Sequence, residues 1–257
     1  MSNDSTGTSL EADFLGAFEV HSPEGIRDAL AAGASPVALI KGKRPIDSLI
    51  EGYLRSSRFT ACLRVLLDAG ATIGDPLLEA VLLDDETELA RVLQTEGPAA
   101  VERRLRVPCA FTSCDGVTPF HICAEFNSVR CAKLLVDAGA DVNAAADLDQ
   151  HGFGGQTPVF HAVNSNFNYC RPMLEFLVEA SADLEVRLKG LVWGRGADWE
   201  TLILDVTPIS YAQCGLYAQF HRREQDVYSN LAYLYRKRSG TELLAPNVPN
   251  KYLAQGS

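Results

Sequence analysis

Short hydrophobic stretches that close on a Gly or another small residue recur along the chain. Residues 66–71 (LLDAGA) and 134–140 (LLVDAGA) match almost residue for residue, and weaker copies lie at residues 29–34 and 176–182. A Gly that follows a pair of helical leucines suits the left-handed conformation that ends many helices. Each copy therefore predicts the end of a helix. Ser181 replaces the Gly in the last copy, which predicts a less favourable helix end there.

Helix starts are indicated by a second pattern. The pair Thr-Pro followed by a hydrophobic residue occurs at residues 118–120, 157–159 and 207–209. Thr can cap the free amides of a first helical turn, and Pro is favoured at the first helical position because its missing N–H is not needed there. Further helix starts are predicted at Pro23, Pro45 and Pro76.

The two patterns alternate, and together they resemble a known repeat. From residue 115 the sequence DGVTPFHICA is followed by the leucine pair at 134–135 and by GADVN at 139–143. This unit, a short helix from 118 to about 126 and a second from about 129 to 138, is similar to the ankyrin repeat, whose period is about 33 residues. The resemblance implies a turn followed by two antiparallel helices in each unit.

Six such repeats are predicted, the first with helices at about residues 10–18 and from Pro23. The fold class expected is an all-α ankyrin-repeat solenoid of stacked helix-turn-helix units with β-turn or hairpin fingers. Pro76, Pro119, Pro158 and Pro208 stand 43, 39 and 50 residues apart, which indicates insertions beyond the period of about 33. We expect a flexible N-terminus at 1–9, the repeat domain at 10–240 and an irregular or disordered tail at 241–257.

Composition narrows the class of protein. The net charge of −10 opposes binding to nucleic acid or to anionic membranes, and no apolar stretch approaches the roughly 20 residues of a membrane helix. Seven cysteines with no Cys-x-x-Cys pair suggest reduced thiols in the cytosol. The start of the chain has no secretory pattern. We therefore expect a cytoplasmic protein, monomeric and without a cofactor.

Motifs for chemistry are weak, so we expect no catalytic residue and no metal site. His121 stands at the histidine of the Thr-Pro-x-His motif, and by the resemblance it ties neighbouring turns together. In the next repeat Phe160 takes that position and His161 follows it, so that packing must substitute for the hydrogen bond. The loop at 144–155 holds Asp147 and Asp149 but lacks the far Glu of a calcium loop, which favours a flexible finger.

Residues 186–206 form the most unusual insertion, with Trp193 and Trp199 among several glycines. Two interpretations stay open. The tryptophans fold back and seal the concave side of the solenoid, or they form an exposed anchor for a partner. Residues 201–206 are expected to pair as a short hairpin with part of 184–191.

The last repeat carries an insertion at 217–228 with a basic cluster, His221, Arg222 and Arg223. A solvated helix face is the default interpretation. The alternative is a site for a carboxylate or phosphate of a partner, because the guanidinium group suits anion recognition.

The resemblance implies that a concave groove binds another protein through non-consensus positions. We expect a protein–protein interaction module, not an enzyme, that binds a cytosolic partner of unknown identity through this groove and the inserted loops. The alternative is a small-ligand or enzymatic pocket built by the 186–206 and 217–228 insertions, around Trp193, Trp199, His221 and Glu224. The predicted partner-binding residues are Val117, Glu125, Phe126, Gln156, Asn164, Ser165, Trp193, Trp199, Val206, Cys214, Arg222 and Arg223.

Overall fold

The structure, a computed structural model, describes residues 4–242; of the predicted tail at 241–257, residues 243–257 lie outside this range. Six helix pairs follow one another along the described residues. They are α1 (Asp4–Glu19) with α2 (Pro23–Ala31), α3 (Pro45–Glu51) with α4 (Phe59–Asp68), α5 (Pro76–Leu82) with α6 (Glu86–Glu96), α7 (Pro119–Phe126) with α8 (Val129–Asp137), α9 (Pro158–Ala162) with α10 (Arg171–Glu179), and α11 (Pro208–Cys214) with α12 (Glu224–Ser239). Helix α1 begins before residue 10, where the sequence predicted its start. Three short 3-10 helices, Pro98–Glu102, Asn166–Asn168 and Ala218–Phe220, lie between these helices.

The first helices of the later pairs stack in order, because α5 packs on α7, α7 on α9 and α9 on α11. Helix α1 packs on α3 in the same way, and the second helices α2 and α4, α6 and α8, and α8 and α10 form the other layer. One continuous hydrophobic core runs between the layers. This is a solenoid of stacked helix-turn-helix units.

Every predicted proline start is confirmed, since α2, α3, α5, α7, α9 and α11 each begin at the expected Pro. At α7 the backbone N–H of Thr118 donates to His121 Nδ1 over 3.2 Å, and His121 Nε2 donates to the carbonyl oxygen of Gln156 over 2.9 Å. His121 therefore ties the fourth repeat to the fifth. At α9, where Phe160 replaces the histidine, the Thr157 hydroxyl is buried and makes no hydrogen bond within the described part of the chain.

The helix ends follow the glycine pattern. Gly70 and Gly139 have φ values of +99° and +95°, in the region that only Gly enters without strain. Ser181 occupies the equivalent position with φ +68°. The fourth copy therefore keeps the left-handed helix end, although the Cβ atom of Ser makes that conformation less stable than it is for Gly.

The all-α description is too narrow, because two small antiparallel sheets interrupt the solenoid. Strand β1 (Leu105–Val107) pairs with β2 (Cys114–Val117) in the insertion before α7. Strand β3 (Leu188–Trp193) pairs with β4 (Thr201–Val206) in the insertion before α11. The β1–β2 pair was not anticipated, because its two short strands flank a loop without a hairpin turn signature.

The predicted hairpin in the second insertion is confirmed, with β4 at the expected residues and its partner strand displaced to Leu188–Trp193. Its register places Trp193 opposite Thr201. Gly194 follows with φ +69°, and a Cβ atom there would come within 1.8 Å of the Trp199 ring. Only Gly therefore lets Trp199 fold back over this turn.

The finger at 144–155 packs against the same hairpin. The amide of Gly154 donates to the carbonyl oxygen of Gly190, and Arg195 donates to Asp149 Oδ2 over 2.8 Å. The hydrogen bond from Arg195, together with those from the amides of Phe153 and His151, lowers the pKa of Asp149 to about 2. The Asp149 carboxylate is thus engaged by the protein itself.

Candidate functional site

A buried group of charged and polar side chains, Arg55, Glu125 and His161, lies beneath the concave side; we call it the ionic layer. Arg55 Nε donates to Glu125 Oε1 and His161 Nδ1 donates to Glu125 Oε2, both over 3.0 Å. The three side chains are at most 4% exposed. Burial alone raises the pKa of Glu125, but the charge of Arg55 and the hydrogen bond from His161 hold it below its usual value. Glu125 is therefore an ionised carboxylate inside the protein.

Arg55 reaches this position from the loop between α3 and α4. Its Nη1 donates to the carbonyl oxygens of Gly52 and Leu54, over 2.6 and 3.1 Å. The guanidinium carbon lies 4.4 Å from the centroid of the Phe126 ring, a cation–π contact. The loop thus places the Arg55 guanidinium against α7, and it covers this face of the helix.

Two cysteines border the ionic layer. Arg55 Nη2 donates to Cys109 Sγ over 3.5 Å, and Cys114 Sγ lies 3.9 Å from His161 Nδ1. The sulfur atoms of Cys109 and Cys114 and a carboxylate oxygen of Glu125 all lie within 4.8 Å of one another. Cys114 and Glu125 are buried, whereas Cys109 is half-buried. These side chains, brought from different parts of the chain, form a compact set of S, N and O donors.

Most of the residues predicted to contact a partner are buried. Those less than 10% exposed are Val117, Glu125, Phe126, Gln156, Asn164, Trp193, Val206 and Cys214. Phe126, one of the predicted partner-binding residues, is 4% exposed and packs against Phe59 with ring centroids 4.9 Å apart. Arg55 of the α3–α4 loop also lies over its ring, so Phe126 is covered and is not open to a partner in this structure. Ser165 is half-buried, and its hydroxyl accepts a hydrogen bond from the amide of Cys170.

The two tryptophans of the hairpin were expected either to seal the concave side or to form an exposed anchor, and each of them fits a different one of these interpretations. Trp193 is 1% exposed and stacks on Phe220, which belongs to the other insertion. Trp199 is 39% exposed and contacts Trp193, with ring centroids 4.7 Å apart. Trp193 therefore seals the solenoid, and Trp199 remains at its surface.

The two arginines of the basic cluster also differ, because Arg222 is directed into the protein and Arg223 is exposed. Arg222 points inward, where its Nε donates to the carbonyl oxygen of Asn164 over 2.7 Å and its Nη1 donates to the Tyr53 hydroxyl over 3.2 Å. Burial lowers the pKa of Arg222 below its usual value. Its role is to hold the second and fifth repeats to the last insertion, so its proposed contact with an anion outside the protein is not available in this structure. Arg223 is exposed and pairs with Asp226 over 2.6 Å.

Above the ionic layer the concave side opens into a groove of about 800 Å³. Tyr53 and Phe167 come from interhelical loops of the second and fifth repeats, and Trp199 and His221 come from the two insertions. We call this surface the aromatic groove, and Cys109 also lines it. Tyr53 lies edge-on to Trp199 and to His221, in each case with ring centroids 6.4 Å apart.

Phe167 is the most exposed large hydrophobic residue of the groove, at 63%. Its φ of +50° places it in the left-handed region, which is unfavourable for a bulky residue. Arg223 lies over its ring at 5.4 Å and donates to its carbonyl oxygen over 3.4 Å. The chain thus keeps a large apolar side chain exposed on strained backbone.

Sequence reasoning missed Tyr53, Arg55 and Phe167. All three lie in loops between the two helices of a repeat, where the resemblance carries no expectation for a side chain. An Arg and a Tyr between two hydrophobic helices, and an aromatic residue between two asparagines, were the available signals. Neither signal indicates which distant residues these side chains meet.

Comparison with known proteins gives two findings. The family model of ankyrin repeats matches residues 77–187, in three copies. The human protein named Ankyrin repeat and SOCS box protein 16 is 33% identical over 97 residues, which cover 36% of this chain and 19% of that relative. The chain therefore matches about a fifth of the length of that curated relative. Within the described residues, no helix combines the length and the hydropathy needed to cross a membrane.

Proposed function

Because the chain belongs to the ankyrin-repeat proteins, whose repeats generally serve protein–protein interaction, we propose that it binds a protein partner through the aromatic groove. The observation that carries this proposal is Phe167, exposed at 63% with φ +50°. A strained backbone conformation that holds a large apolar side chain in solvent costs folding free energy, and such strain gathers at binding sites. Ankyrin-repeat proteins are typically non-enzymatic, and we propose no reaction for this chain.

The occupant that fits is an extended segment of a partner with an apolar side chain. Tyr53, Trp199 and Phe167 present aromatic surface, and such rings form the anchors of many interfaces. The net charge of −10 favours a partner that is basic around that segment, because opposite charge speeds encounter. Of the residues predicted from sequence, Trp199 is the one that the proposal retains as an anchor. A cytosolic location and a monomeric state remain predictions.

The test is selection from a displayed library of peptides from natural disordered regions, followed by affinity measurement on purified chain. Phe167→Asn and Trp199→Ala should each weaken binding of the selected peptides by at least about tenfold, the loss of a hot-spot side chain. Leu204→Ala is the matched control, because Leu204 is 62% exposed on β4 and does not line the groove. Peptides that bind all four proteins equally would place the interaction elsewhere and overturn the proposal.

A small-ligand site is the second candidate, favoured by the groove volume of about 800 Å³. Ligand pockets fall between about 300 and 1,000 Å³. The pocket expected as the alternative function included Trp199 and His221, and both line this groove. Trp193, which that pocket also included, is buried. A thermal-shift screen of small molecules separates the two candidates. Hits whose effect disappears in Trp199→Ala, with no peptide selected, would favour the ligand.

A further inference from the structure

Cys109, Cys114, Glu125 and His161 offer the four donors of a zinc site. We propose that these side chains bind one Zn²⁺ ion at the floor of the aromatic groove. Two thiolates, an imidazole and a carboxylate are donor types that Zn²⁺ takes in tetrahedral sites, at about 2.0 to 2.3 Å. The proposal does not depend on the partner proposed above.

The distances place three of the donors around one centre and the fourth next to two of them. Tetrahedral geometry with these bond lengths separates neighbouring donor atoms by about 3.3 to 3.8 Å. Glu125 Oε2 and His161 Nδ1 lie 3.0 Å apart, and Cys114 Sγ lies 3.9 Å from the same nitrogen. The two sulfur atoms and the carboxylate are within 4.8 Å of one another. Cys109, Cys114 and Glu125 therefore already surround one centre, and His161, in contact with Cys114 and Glu125, stands beside it as the fourth donor.

The spacing in the sequence is also suitable. Cys109 and Cys114 enclose four residues, within the Cys-x₂₋₄-Cys spacing of zinc sites, and Cys114 opens β2 at the end of the loop from β1. Glu125 belongs to α7 and His161 to α9, so rigid elements hold the other two donors. The sequence shows no zinc motif, because the last two ligands are distant in sequence and only the fold brings them near.

The charges balance with and without the ion. Without it, Arg55 and Glu125 form an ion pair at 3.0 Å, and their charges cancel. On binding, each thiol loses its proton to solvent, and the imidazole proton moves from Nδ1 to Nε2. The charges of Zn²⁺, two thiolates and one carboxylate then sum to −1, which Arg55 neutralises.

Arg55 also provides an outer shell. It already donates hydrogen bonds to Glu125 Oε1 and Cys109 Sγ, and partners of this kind orient and stabilise metal ligands. Half-buried Cys109 lines the groove and gives the ion a path from solvent. With four protein ligands the site is closed, so its role is structural: it joins the β1–β2 loop to α7 and α9.

The experiment uses the full chain, kept reduced by a phosphine and loaded with zinc alone. Competition with a chromophoric chelator should give one ion per chain, and cobalt should give the intense d–d bands of a tetrahedral site with thiolate-to-cobalt charge transfer. Zinc absorption spectroscopy should show about two sulfur neighbours at about 2.3 Å and about two N or O neighbours at about 2.0–2.1 Å.

Cys109→Ala should weaken zinc binding more than about a hundredfold, since loss of an outer-shell partner alone costs up to that factor. Cys109 is half-buried, so this variant should fold. Cys214→Ala, which removes a buried thiol outside the cluster, is the control and should bind as the wild type does. Substoichiometric zinc, an octahedral cobalt spectrum, or equal affinity in Cys109→Ala would each overturn the proposal.

Discussion

The indole of Trp193 stacks on the ring of Phe220, with centroids 4.0 Å apart and planes inclined by 10°. The first ring ends a strand of the hairpin, and the second belongs to the insertion of the last repeat. The two insertions are therefore joined through a buried aromatic pair and do not project separately from the solenoid.

Replacement of Trp193 tests this joint. We expect Trp193→Ala to lower the free energy of unfolding by about 3–5 kcal/mol, the usual loss for a buried Trp. Urea denaturation followed by circular dichroism measures it. Leu204→Ala on the same hairpin is the control, because its side chain is 62% exposed and its removal should change stability by less than about 0.5 kcal/mol. Equal effects of the two variants would contradict the packing described.

The ionic layer gives a prediction about paired removal. Arg55→Met leaves the buried Glu125 carboxylate without its cation and should cost about 3–5 kcal/mol. Adding Glu125→Gln to that variant removes the unpaired charge, so the double variant should be more stable than Arg55→Met alone. Urea denaturation of the three proteins gives the comparison. A double variant that is less stable than Arg55→Met would show that Glu125 stabilises the fold without Arg55.

Stability should fall in mild acid, and His21 is one cause. Burial, with the charges of Arg55 and Arg58, lowers its pKa from 6.5 to about 4. The unfolded chain therefore binds the proton more tightly, so this contribution is present above about pH 6.5 and is lost as the pH falls toward about 4.

His21→Asn isolates this contribution, since Asn tolerates the φ of +47° at that position. Between about pH 7 and pH 5 the variant should lose about 1–2 kcal/mol less stability than the wild type. Unfolding midpoints in urea at the two pH values measure the difference. Parallel losses in both proteins would assign the acid sensitivity to other groups, such as His121, whose pKa burial lowers to about 3.

Phe167 should be dispensable for folding. Asn accepts the left-handed conformation more readily than Phe, so Phe167→Asn should leave stability unchanged or raise it by up to about 1 kcal/mol. Thermal and urea unfolding check this. A loss of more than about 1 kcal/mol would mean that the ring stabilises the fold and would remove the argument for its role in binding.

Cys109 should react with an alkylating reagent faster than the other cysteines. Six of the seven cysteines are buried, and Cys109 is half-buried with a guanidinium group 3.5 Å from its sulfur. Cationic neighbours and access both favour reaction of a thiol. Brief treatment of the folded, metal-free protein with iodoacetamide should therefore modify Cys109 first, as peptide mass spectrometry would show. Cys109→Ala should remain unmodified over the same period, and equal labelling of buried Cys62 would contradict the structure.

The sequence predicted what is locally encoded. Pro45 and Pro119 start helices because their geometry suits a first helical turn, and Gly139 ends one because it adopts a positive φ. The hairpin strand β4 was predicted from alternation over six residues. Each of these signals lies within a few residues of the feature that it predicts.

The candidate site could not be predicted in the same way. Arg55 meets Glu125 across 70 positions of sequence, and His161 meets Glu125 across 36. The first contact depends on the path of the α3–α4 loop, and the second depends on how α9 packs against α7, so neither follows from a local pattern in the sequence. The predicted groove positions followed the resemblance alone, and most of them are buried in this structure.

The hydroxyl of Tyr53 donates to the carbonyl oxygen of Phe220 over 2.8 Å and accepts a hydrogen bond from Arg222, so the second repeat is bonded directly to the last. Repeat arrays ordinarily interact only with their immediate neighbours and can fold outward from any point. Here a ribosome must synthesise another 167 residues after Tyr53 before its partner exists. The early repeats therefore lack these hydrogen bonds until the last insertion is made, and we expect the finished protein to unfold as one cooperative unit instead of fraying from its ends.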